Sequence, residues 1–298
     1  MDQLPVELLE IILLSIPRTS LKDLSRVSRL FRVLCSPLIF QSIQVGITSA
    51  QLEGLLEISK SSYASFVRAI RYEATALLDP TEKEKVMQTS QDILLRSLPN
   101  LPNLQTLEIN LVHGIKDQFG HASGCMIPYH DYYLSPLEKL LTAAVVAQEN
   151  GVMIRAFHIS GIYHLAAIED CFLQALASKT FSDVEEIRVI STSAMFPFLS
   201  DLTLLKLRHL ELIDIWLSLP TFERFIRQAV RLESVYLEDV WLIDELAGYA
   251  GGEFGVSKGL AISIVEVLAR LGRPLEMTIT HCGTTRRFVK SRGAVLQV

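Results

Sequence analysis

The sequence lacks the features on which several broad function classes depend. Its four cysteines, Cys35, Cys125, Cys171 and Cys282, are scattered along 298 residues without a CxxC pair. That spacing argues against common zinc and thioredoxin-like centres and fits reduced thiols in a cytoplasmic or nuclear protein better than a disulfide framework. The apolar run IILLSI, Ile11 to Ile16, is far below the ~20 residues that cross a bilayer. The first residues carry neither a basic start nor a small-residue cleavage site, so neither export nor a membrane partner is expected. Positive charge is not in excess: the formal net charge is −5 and the pI is near 5.8, which removes the general attraction to nucleic acid.

Motifs of catalysis and cofactor binding are also absent. Gly251, Gly252, Gly255 and Gly259 form neither GxxxxGK[ST] nor GxGxxG, and no GxSxG or HExxH occurs. His113, His121, Cys125 and His130 share one segment, but without the paired short spacings of common zinc sites they read as loop residues. Arg286, Arg287, Lys290 and Arg292 read as a solvated basic tail. The expectation is a non-catalytic protein with no cofactor and no metal.

What the sequence does have is apolar surface near its start. Pro5 suits a first helical position and Pro17 ends the run, so one helix is expected from about Pro5 to Ser15. Leu8, Leu9, Ile11, Ile12, Leu13 and Ile16 fall on an arc about 200° wide, roughly twice what one neighbour covers. Ser20 with Asp23 signals the cap of a second helix carrying Leu21, Leu24, Val27, Phe31 and Leu34. Ser36 followed by Pro37 signals a third, holding Leu38 and Phe40. So small a unit seldom stands alone.

The order LP at Leu4 and Pro5, ELL at Glu7 to Leu9, IL at Ile12 and Leu13, IP at Ile16 and Pro17, L..L..VS through Leu21, Leu24, Val27 and Ser28, RLFR at Arg29 to Arg32 and PL at Pro37 and Leu38 closely resembles the F-box family. The resemblance covers about an eighth of the chain. It implies a three-helix segment, residues 1–42, that docks on the Skp adaptor and through it on a cullin-RING ubiquitin ligase. The adaptor-facing residues it implies include Leu4, Pro5, Leu8, Leu9, Ile12, Leu13, Leu21, Leu24, Val27, Phe31 and Leu38. Some of these must instead hold the helices together, and the sequence does not separate the two roles.

Beyond residue 42 an apolar pattern of fixed spacing recurs at Val67, Ile70, Tyr72; Leu104, Leu107, Ile109; Ile154, Phe157, Ile159; Val184, Ile187, Val189; Leu207, Leu210, Leu212; and Leu232, Val235, Leu237, with a weaker copy at Leu275 to Ile279. Helical stretches lie between copies, at Leu137 to Gln148, Ile168 to Ala177, Phe222 to Val230 and Ser257 to Leu271. Strand followed by helix, in one direction, builds a parallel sheet with outer helices. The pattern resembles leucine-rich repeats, but the steps of 37, 50, 30, 23 and 25 residues are irregular and the usual asparagine is mostly missing. The expected class is therefore α/β: a three-helix F-box followed by an irregular leucine-rich-repeat-like solenoid over residues 43–298, an architecture similar to that of fungal F-box substrate receptors.

In that arrangement the residue between the last two apolar positions faces outward, giving the column Arg71, Glu108, His158, Arg188, Glu211 and Tyr236, and Thr278 through the weaker copy. Mixed charge with histidine and tyrosine suits recognition of a client protein, while plain exposed strand residues remain the alternative. Loops are expected at Val112 to Pro136 and Val240 to Phe254; their aromatics, Phe119, Tyr129, Tyr132, Tyr133, Trp241 and Tyr249, suit either binding or plugging the sheet. The implied function is substrate recognition for a ubiquitin ligase, with a scaffold acting outside any ligase as the other reading.

Overall fold

The computed structural model describes residues 4–75, 80–112, 135–161, 171–191, 195–243, 267, 270, 274–281, 284–291 and 294–297. The chain opens with α1 (Val6–Leu14), α2 (Arg18–Val27) and α3 (Arg29–Phe40). Pro5, with ψ at 142°, stands just before α1, and its carbonyl accepts from Leu8 N and Leu9 N. Pro17 plays the same part for α2, so Ser20 lies inside that helix and is not its cap. An extended proline with a free carbonyl already starts the helix, which leaves the serine nothing to cap.

The second expected boundary also moves. Ser28 is extended, at φ −153° and ψ 164°, and its hydroxyl accepts from Phe31 N, so the helix expected to run on to Leu34 breaks there. α3 then passes through Pro37 and does not begin at Ser36. The proline removes one amide donor, but Ser36 Oγ donates to Arg32 O at 2.6 Å, and the carbonyl left over belongs to exposed Val33.

The rest is a mixed α/β structure around a ten-stranded sheet. Its strands in spatial order are β1 (Ser42–Gly46), β2 (Ala69–Thr75), β3 (Thr106–Val112), β4 (Ala156–Ser160), β5 (Glu186–Ile190), β6 (His209–Ile213), β8 (Ser234–Glu238), β10 (Leu275–His281), β11 (Thr284–Ser291) and β12 (Ala294–Gln297). All neighbours from β1 to β10 are parallel, and β10, β11 and β12 are antiparallel. Two further short strands, β7 (Trp216–Ser218) and β9 (Trp241–Ile243), pair in parallel as a second sheet.

The register follows the sequence pattern. Ile43, Ile70, Leu107, Phe157, Ile187, Leu210, Val235 and Met277 lie side by side on successive strands, as do Val45, Tyr72, Ile109, Ile159, Val189, Leu212, Leu237 and Ile279. Both rows are buried. A one-residue slip would turn every one of them outward, which is why the register is fixed. α4 (Ser49–Lys60), α5 (Pro80–Ser97), α6 (Ser135–Glu149), α7 (Cys171–Phe181), α8 (Met195–Ser200) and α9 (Leu219–Gln228) complete the α-helices among the described residues, with two short 3₁₀ turns at Ser62–Phe66 and Leu98–Asn100. Leu52, Leu94, Leu140, Phe181, Phe196 and Phe225 bring them into the same core as the two rows. The helices therefore cover one face of the sheet, and the alternate strand residues form the other.

Successive parallel strands from β1 to β10 are tied at their starts, and those from β4 to β10 at their far ends as well. At the start, one carbonyl accepts two amides: Arg68 O from Gln105 N and Thr106 N, Arg155 O from Glu185 N and Glu186 N, and Arg208 O from Glu233 N and Ser234 N. At the far end Gly161, Ser191, Asp214 and Asp239 hold φ of 89°, 50°, 49° and 46°. The last three donate their amides to Ile213 O, Glu238 O and Thr280 O of the next strand. Left-handed backbone costs a non-glycine residue about 1–2 kcal/mol, so these corners are held by the bonds they make. Gly161 has a steric reason as well, since a Cβ there would come 2.2 Å from Leu111 O.

Trp241, expected in a loop, lies in β9. Residues 244–254 of that loop, most of the Val112 to Pro136 segment and most of the helix expected at Ser257 to Leu271 lie outside the described residues.

Candidate functional site

Two surfaces were expected to carry function, and the first is the outside of α1 to α3. A small core of Leu13, Leu21, Cys35 and Ile39 holds these helices together, with Ile16, Leu24, Phe31, Leu34, Leu38 and Phe40 packed against it. The geometry thereby separates roles that the sequence left mixed. Of the residues expected to face an adaptor, Leu9, Leu13 and Leu21 are buried, and Leu24, Phe31 and Leu38 are half-buried. Leu4, Pro5, Leu8, Ile12 and Val27 are exposed.

Exposure extends to residues outside that set. Ile11 is 63% exposed, Leu14 70% and Val33 62%, and Val6 and Leu30 are exposed too. Most of the large apolar side chains left open among the described residues belong to these helices. The width of the apolar arc was the available signal for Ile11; nothing comparable marked Leu30 or Val33. Apolar surface concentrated in one small unit is the ordinary mark of a protein interface.

The second surface is the open sheet face. Arg71, Glu108, His158, Arg188, Glu211 and Tyr236 occupy one row across β2 to β8, each beside the next. Arg71, His158 and Arg188 meet carboxylates of neighbouring strands, and Tyr236 meets one on its own strand. Arg71 Nε lies 2.9 Å from Glu108 Oε1, and Arg188 Nε 3.1 Å from Glu211 Oε2. His158 Nε2 lies 3.1 Å from Glu186 Oε1, and the Tyr236 hydroxyl donates to Glu238 Oε2 at 3.1 Å. Opposite charges on neighbouring strands stabilise the sheet without any partner, which is a second physical reason for the mixture seen in the sequence.

At the strand starts the same matching recurs. Arg208 donates through Nε and Nη2 to both carboxylate oxygens of Glu233, at 2.9 and 3.0 Å, and this hydrogen bonding holds the guanidinium pKa above its ordinary value. Glu185, Lys206, Arg208, Arg231 and Glu233 line a shallow depression of about 320 Å³ there. Lys206 pairs with Asp183. On α9, hydrogen bonding from Arg227 holds the Glu223 carboxyl below the usual carboxylate range.

Sequence reasoning missed the strand-end rim. Ser191, Asp214 and Asp239 form its left-handed corners, and Ser191 Oγ donates to Asp214 Oδ2 at 2.7 Å. Just beyond them Trp216 and Trp241 stack with ring centroids 6.0 Å apart and planes 28° from parallel. The signal was present: DIWL at Asp214 to Leu217 and DVWL at Asp239 to Leu242 repeat at a spacing of 25 residues, the step between the copies of the apolar pattern at Leu207 and Leu232.

Among the described residues no three His, Cys, Asp or Glu side chains come together as a metal site, and no helix is long and apolar enough to cross a membrane. His113, His121, Cys125 and His130 lie outside the described residues. Compared with protein-family models and with curated proteins, the chain gives no match to either.

Proposed function

We propose that this protein is a non-catalytic substrate receptor of a Skp-cullin-F-box ubiquitin ligase. In this reading α1 to α3 are an F-box that binds the Skp adaptor, and the sheet unit is an irregular leucine-rich-repeat-like solenoid that captures a client protein. The observation that carries it is the surplus of exposed apolar side chains on α1 to α3, which remains after the helices have formed their own small core. The aligned apolar rows of the sheet support the solenoid reading.

The mechanism is positional. Holding a client near a charged ubiquitin-conjugating enzyme raises the effective concentration of its lysines, so the receptor needs surfaces and no reactive group. Adaptor and cullin imply work in the cytoplasm or nucleus. Co-expression of the chain with a Skp adaptor, followed by size-exclusion chromatography with light scattering, tests the reading. A one-to-one complex is expected; a monomer that ignores the adaptor would remove the basis for the ligase. Recruitment of cullin by that complex then separates a receptor from a scaffold that works outside the ligase.

A further inference from the structure

Several acidic side chains on the strands and just beside them fall into two groups. In the middle and at the start of the strands they have cationic partners: Glu108 with Arg71, Glu211 with Arg188, and Glu233 with Arg208. At the far ends of β6 and β8 two acids are met by hydroxyl groups instead. Asp214 accepts from the Ser191 hydroxyl and Glu238 from the Tyr236 hydroxyl, and no lysine or arginine among the described residues pairs with either. Hydroxyl bonds orient a carboxylate and leave its charge in place.

The backbone brings these two acids to the tryptophan pair. Asp214 N donates to Glu238 O at 2.8 Å, and two residues on, Trp241 N donates to Ile215 O at 2.8 Å. Acids and indoles thus occupy consecutive rungs of one corner. Ile215, Leu217 and Val240 are buried, which anchors the corner from inside. Trp216, between Ile215 and Leu217, is 54% exposed. Buried tryptophans bring 150–250 Å² of contact to a core, so leaving half of one open forgoes roughly half of that burial.

We propose that this rim docks a lysine- or arginine-bearing segment of a protein partner, with the cationic side chain against the Trp216 face and its charge answered by Asp214 and Glu238. Indole is the best aromatic face for a cation, and uncompensated carboxylates beside it select positive charge. The inference names the chemistry of the client and so rests on the reading of the sheet unit as a capture domain. It does not depend on the adaptor.

Trp216 and Trp241 are the two tryptophans of the whole chain, so intrinsic tryptophan emission reports on this corner alone. The full chain, without adaptor, is titrated with a short acetylated peptide of alternating glycine, lysine and arginine, and separately with glycine-serine and glycine-glutamate peptides. Only the basic peptide should change the emission, and added salt should weaken it. The D214N/E238Q variant keeps the shape, because asparagine tolerates left-handed backbone, and should bind about tenfold more weakly with an unchanged circular dichroism melt. W216L should lose the response carried by that ring. An equal response to the neutral peptide, or unchanged affinity in folded D214N/E238Q, would overturn the proposal. Since no adaptor is present, a failed adaptor complex leaves this result standing, and the converse holds.

Discussion

The helical unit at the start and the sheet unit after it treat apolar side chains in opposite ways. Across the sheet, two rows of strand residues and the facing helices bury their aliphatic and aromatic groups almost completely. In α1 to α3, a cluster of only four buried residues gathers six half-buried ones around it, and Leu8, Ile11, Ile12, Leu14, Val27 and Val33 stay open. The sheet closes its core on itself because its strands pair side by side and α4 to α9 pack on their buried rows. Three short helices have too little volume to enclose what they carry. Apolar content alone therefore does not distinguish core from interface; the number of neighbours does.

The sharpest way to break this comparison is to damage each unit where it is strongest. Phe157 is fully buried in the sheet core and meets Phe181 edge to face, with ring centroids 4.9 Å apart. Phe157→Ala should destabilise the sheet unit by about 3–5 kcal/mol, read as a lower denaturant midpoint, because it removes contacts and leaves a cavity. A loss under about 1 kcal/mol would mean that this core repacks freely.

A somewhat smaller effect is expected at the other unit, and in binding rather than folding. Replacing Leu8 and Ile12 together with Asp should weaken the proposed adaptor binding at least about a hundredfold, since two unpaired charges would be buried in that complex. The same change should leave the unfolding midpoint nearly unaltered, because both side chains already face solvent. Leu13→Asp should do the reverse, unfolding the helices, as Leu13 is 2% exposed. Adaptor affinity measured by calorimetry and helix content by circular dichroism separate the two outcomes. Tight binding by the Leu8 and Ile12 variant would remove α1 from the interface.

The two units also differed in how much of them the sequence disclosed. The sheet's buried rows were legible because strand geometry repeats every two residues and each copy wrote the same spacing. β1 was overlooked because Phe40, which begins the same pattern with Ile43 and Val45, also ends α3. Helix starts at Ser20 and Ser36 were misread because prolines at 17 and an extended Ser28 set the boundaries first. The tryptophan rim was not read because its key feature, left-handed φ at Ser191, Asp214 and Asp239, leaves no glycine in the sequence to mark it. The separation of buried Leu9 from exposed Leu8 needed the packing of α1 on its neighbours, which periodicity alone does not supply.

The smallest effect tests whether the open face of the sheet is built for itself or for a partner. Arg71 and Glu108 are adjacent across β2 and β3, about half and three-quarters shielded from solvent at side-chain exposures of 48% and 24%. If cross-strand pairing accounts for their charges, a double-mutant cycle through Arg71→Ala and Glu108→Ala should return a coupling of about 0.2–1 kcal/mol in denaturant unfolding. High salt should reduce it, because neither side chain is fully buried. Coupling near zero would leave these charges without a structural reason and would turn the whole row, His158, Arg188, Glu211 and Tyr236 included, back toward recognition. Full coupling would instead point recognition on this face to Asp214 and Glu238, which accept from the Ser191 and Tyr236 hydroxyls and pair with no lysine or arginine among the described residues.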